Sequence, residues 1–104
     1  MKEFTHMMLL QDAGRSEQLL VRLPKWDDDS AKVLVECYNR ANGSEHRIVL
    51  HAPCTEIMAE GIPEIEIREM LDICEEDSGR EGQPMMYVYA VTRMSRYWLG
   101  GEEA

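Results

Sequence analysis

The chain of 104 residues carries twenty acids against eleven bases, a formal net charge of −9, and 44% of its residues are apolar. That apolar share excludes a disordered tail, and the length fits a single small domain, residues 1–104, able to bury about two thirds of its surface without disulfides or metal. The negative charge argues against direct binding to nucleic acid or to an anionic membrane, both of which require a positive surface.

Taken in chain order, residues 4–11 and 17–23 predict a β-hairpin. In the second run Leu19, Val21 and Leu23 alternate with Gln18, Leu20 and Arg22, the period of two expected of a strand. Asp12-Ala13-Gly14-Arg15-Ser16 supplies the turn. Over residues 29–42 the spacing predicts a helix: Ala31, Val33, Leu34, Val35, Cys37, Tyr38 and Ala41 fall in one arc, Lys32, Glu36, Asn39 and Arg40 in the other. The acids at 27–29 supply a cap and Asn42-Gly43 a stop. The rival is a hairpin that pairs 32–38 with 46–52 across Asn42-Gly43.

Residues 46–51 predict a short strand, and Thr55 offers a cap for a turn of helix over 56–60. Pro63 opens a helix over 64–76 with Ile67, Met70, Leu71 and Cys74 turned inward. Glu75 and Glu76 oppose the dipole at its far end, so that end is expected to fray. The composition of 77–84 reads as a flexible loop and that of 99–104 as a loose tail. Residues 85–94, MMYVYAVTRM, read as the fourth strand. The expected fold is α+β, with two helices on one face of a four-stranded mixed sheet in the order β-β-α-β-α-β; the rival hairpin would give β-β-β-β-α-β. The adjacent pairs Met7-Met8 and Met85-Met86 then fill gaps in a sheet core.

Little in the chain points to catalysis. Cys37, His46, His51 and Cys54 are the nearest approach to a metal set, but the spacing lacks a C-x-x-C, and on a regular strand His46 and His51 point to opposite faces. No metal or cofactor is expected. Cys54 with His51 as base is the one candidate for a thiol enzyme, weakened by the anions Glu56 and Glu60 nearby. The triplet Asp27-Asp28-Asp29 lacks the alternation of a calcium loop and reads as a helix cap. Three cysteines without pattern read as reduced thiols, and with MKEFTHMMLLQDAG too polar for a secretion signal the expected location is cytoplasmic.

The charge is unevenly placed. Residues 56–81 hold ten acids and two bases, a net −8, whereas the remainder holds ten acids and nine bases. On a helix over 64–76, Ile65, Glu69, Asp72 and Glu76 share the outward face. That face is the candidate docking surface for a basic partner protein. The reading it favours is a small non-enzymatic binding module, in its narrower form an inhibitor of a nucleic-acid-binding protein of the kind phages and mobile elements encode. A homodimer joined by its sheet edge or its exposed Met and Trp residues is the third possibility.

Overall fold

The computed structural model describes residues 5–53 and 60–100. Four strands, β1 (His6–Asp12), β2 (Glu17–Leu23), β3 (His46–Pro53) and β4 (Glu64–Glu66), and three helices, α1 (Asp28–Asn42), α2 (Ile67–Ser78) and α3 (Met85–Leu99), make an α+β fold. The strands lie in the order β3-β1-β2-β4, antiparallel except for the parallel β2–β4 pair, so the sheet is mixed.

The β1–β2 hairpin forms as the alternation predicts. Its register sets Met8 against Val21 and Leu10 against Leu19. Met8, Leu10, Val21 and Leu23 reach the core under the helices. The turn is held from within: the buried carboxylate of Asp12 accepts from the backbone N–H of Gly14 at 2.9 Å. The Asp12 carbonyl accepts from Ser16 at 2.8 Å.

The helix over 29–42 is present as α1, and the rival hairpin is not formed. Its ends follow the local chemistry. Asp27 accepts from the N–H of Ser30 at 2.9 Å, and hydrogen bonding from Ser30, its side chain first and then its backbone, lowers the pKa of the carboxyl from its ordinary value. Gly43 adopts the left-handed conformation (φ 67°) that closes the last turn onto the Asn39 carbonyl. Asn39 then fastens α1 to β3: its carboxamide donates to the His46 carbonyl at 2.8 Å and accepts from the His46 N–H at 2.8 Å.

Two parts of the expected order need correction. The fourth strand is not residues 85–94, which are helical, but Glu64–Glu66, which precede the helix instead of opening it. The element order is therefore β-β-α-β-β-α-α. In α3, Tyr87, Val91, Met94 and Trp98 are buried, at spacings of four, three and four that fix one helical face. Pro84 precedes the first turn, and Gly100 closes the last with φ 65°. Val88 is half-buried and lies outside the main cluster, to which Tyr87 and Val91 belong. The third helix packs chiefly against α2 and α1, not against the strands. One core cluster joins Leu34, Val35, Tyr38, Ile67, Leu71 and Val21 to this added helix.

The turn of helix expected over 56–60 falls mainly on residues 54–59, outside the described residues, as do 101–104 of the expected tail. α2 runs to Ser78, so its connection to α3 is residues 79–84.

Candidate functional site

The acidic helix is docked as its pattern requires. Ile67, Met70, Leu71 and Cys74 are buried, which turns Glu69, Asp72 and Glu76 to solvent. None of these three has an ion pair among the described residues, and the last turn of α2 contains no base. Ile65 is placed differently from the expectation. It lies on β4 opposite Val21 and packs against the core half-buried, so it does not share the outward face of α2. Its flanking residues extend the charge to the sheet edge. Glu64 pairs with Arg22, and Glu66 and Glu69 line a shallow depression with Arg68.

The far end of α2 is anchored where the dipole argument expects fraying. The buried carboxylate of Asp77 accepts from the Tyr87 hydroxyl at 2.8 Å, and its other oxygen lies 3.5 Å from Arg80. Glu75 accepts from the Ser95 hydroxyl. These contacts from α3 hold a turn whose own charges oppose it. Burial and then the Asp77 hydrogen bond push the Tyr87 hydroxyl well above its ordinary range. No local pattern marks this pair, because it depends on α3 being a helix.

Of the candidate thiol pair, only His51 falls among the described residues. Cys54 lies outside them, and His51 meets His6 and Trp26. Its Nδ1 is 3.0 Å from His6 Nε2, and its ring stacks on Trp26 with centroids 3.9 Å apart. Desolvation, then the neighbouring His51, lower the His6 pKa. Cys37 and Cys74 are buried free thiols. Burial, followed by the charge of Glu36, pushes Cys37 up to about 11; burial, followed by Cys37, pushes Cys74 up to about 12. At neutral pH neither presents the thiolate that nucleophilic chemistry needs.

The histidines behave differently from a regular strand. The register of β3 against β1 shifts between Leu9 and Leu10, so His46 opposes Asp12 and His51 opposes Met8. The shift puts both histidines on the same face, contrary to the count of five positions. They still do not meet, because their β1 partners are four residues, about 14 Å, apart. His46 instead contacts Ser44 and Asn39. Among the described residues no group of three or more His, Cys, Asp or Glu is placed to hold a metal ion. Asp27 serves as the cap the sequence implied.

A second surface feature was not visible in the sequence. Met85, Met86 and Tyr89 stand 79%, 75% and 59% exposed on the outer side of α3, so the second methionine pair does not fill the core. Beside them a groove of about 430 Å³ runs between α1 and α3. Among the described residues no helix is long and apolar enough to cross a membrane. No protein-family model, curated protein or solved structure matches the chain.

Proposed function

We propose that the protein is a non-enzymatic, cytoplasmic binding module that docks the acidic face of α2 on a basic partner protein. The observation that carries this reading is the row Glu69, Asp72 and Glu76: exposed, on a helix fixed in the core, and without ion-pair partners among the described residues. A helix shaped for stability alone would place bases four residues from these acids and in its last turn. A partner rich in Arg and Lys relieves the repulsion and is drawn in by the field of a chain with net charge −9. Proteins that bind nucleic acid carry such surfaces, and covering one makes the module an inhibitor of that binding.

The test is affinity capture from native lysate with wild type and with the triple variant Glu69→Gln/Asp72→Gln/Glu76→Gln. The expected result is a basic protein retained by wild type, lost from the triple variant, and released at about 1 M salt, where the screening length falls to about 3 Å. Equal retention by both proteins overturns the reading.

A further inference from the structure

We infer that the groove between α1 and α3, with the outer side of α3, is the interface of a homodimer. The patch has the composition of an interface core. Met86, Tyr89, Arg93 and Tyr97 line the groove from α3, and Met, aromatic residues and Arg are the types enriched at such cores. Of the six large hydrophobic side chains most exposed among the described residues, Val33, Met85, Met86 and Tyr89 are gathered here. Protruding Met86 and Tyr89 next to an apolar groove on the same surface give a patch with both knob and hole. A two-fold interface requires such self-complementarity, because each copy presents the same patch.

Charge identifies a second copy as the occupant. Of the described helices α3 alone has no acid; it carries Arg93 and Arg96, both exposed and without an ion pair among the described residues. The opposite wall of the groove carries Asp27 and Asp29 from the start of α1. Two chains of net charge −9 repel if their α2 sides meet. Through α3 they meet away from the acidic face, where Arg93 of one copy is placed to face the Asp27 and Asp29 wall of the other. The α2 face stays free, so this inference does not rest on the proposed docking to a basic partner.

Sedimentation velocity across the micromolar range tests it. The expected species has twice the 12.0 kDa mass of the chain. Tyr89→Glu and Arg93→Glu each raise the dissociation constant by about tenfold or more, the equivalent of one decade in affinity. Leu50→Glu, exposed on the edge strand β3, leaves it unchanged. Circular dichroism confirms that each variant keeps its fold, and Met86→Gln serves as a milder replacement if Tyr89→Glu does not. A monomer throughout the range overturns the inference. So does a dimer that Leu50→Glu dissociates and Tyr89→Glu does not, since that dimer joins through the sheet edge.

Discussion

Replacing Tyr87 by Phe isolates the contact that fastens the acidic end of α2. The ring stays in place, with the Arg40 guanidinium 4.9 Å from its centroid, and only the hydroxyl is lost. That hydroxyl donates to a carboxylate that is 4% exposed. A hydrogen bond to a charged group contributes about 1.5–3 kcal/mol, and a buried acceptor left without its donor keeps its desolvation cost. Arg80 lies 3.5 Å away on the other carboxylate oxygen and is itself mostly exposed, so it compensates little. The expected loss is about 2–3 kcal/mol, or roughly 10–20 °C in Tm for a domain of this size.

Urea titration followed by circular dichroism at neutral pH reads the loss, and alkaline titration adds an independent sign. Tyr87 has its pKa raised in the folded state. Its contribution is therefore complete below the unfolded value near 10 and falls as pH rises above it, because the unfolded chain ionises first. The thiols Cys37 and Cys74, raised from 9 to about 11 and about 12, add a loss that begins one unit lower. Wild type is expected to lose stability from pH 9 upward, and the Phe variant to lose less above pH 10. A loss below about 0.5 kcal/mol at neutral pH, together with an alkaline limb identical to wild type, refutes the argument.

Two further outcomes follow from the packing. Leu71→Ala removes a fully buried side chain at the α2 face of the core and is expected to cost about 2–5 kcal/mol by chemical denaturation; a cost under 1 kcal/mol means α2 is not docked there. His6, whose pKa is lowered by desolvation and by His51, contributes stability that is present above its unfolded pKa of 6.5 and lost as pH falls below it. The His6→Ala variant is expected to show a flatter acid limb in the same titration.

What was legible in the sequence was what local chemistry encodes. The hairpin has clean alternation and a turn, and α1 has a cap, a two-sided arc and a glycine stop, so both are read from neighbours in the chain. In α3 the buried stripe of Tyr87, Val91, Met94 and Trp98 is flanked by exposed Met85, Met86 and Tyr89. The apolar run therefore goes all round and hides its period. β4 has three residues and exists because Leu20 and Val21 lie beside them. That parallel pairing spans over forty positions and leaves no local mark.

The candidate site divides the same way. Glu69, Asp72 and Glu76 were readable because helical period alone places them, whereas Ile65 was misplaced along with the helix start. The pairing of His6 with His51, 45 residues apart, needed the β1–β3 register. The shared face of His46 and His51 depends on a register shift that no count along the strand reveals.

Recruitment of a basic partner by the acidic face of α2 is the proposed function. It is tested most directly by the association rate with the captured partner, measured by stopped flow for wild type and for Glu69→Gln/Asp72→Gln/Glu76→Gln over a range of salt. The free triple variant is expected to match wild type in stability, since relief of like-charge pairs, a few tenths of a kcal/mol each, offsets the loss of Glu69 near the positive end of the helix. The expected outcome is a wild-type rate that falls steeply with salt and a variant rate that is slower and flatter. Superimposable rates and salt slopes would contradict it, and leave the acidic face as solvated surface.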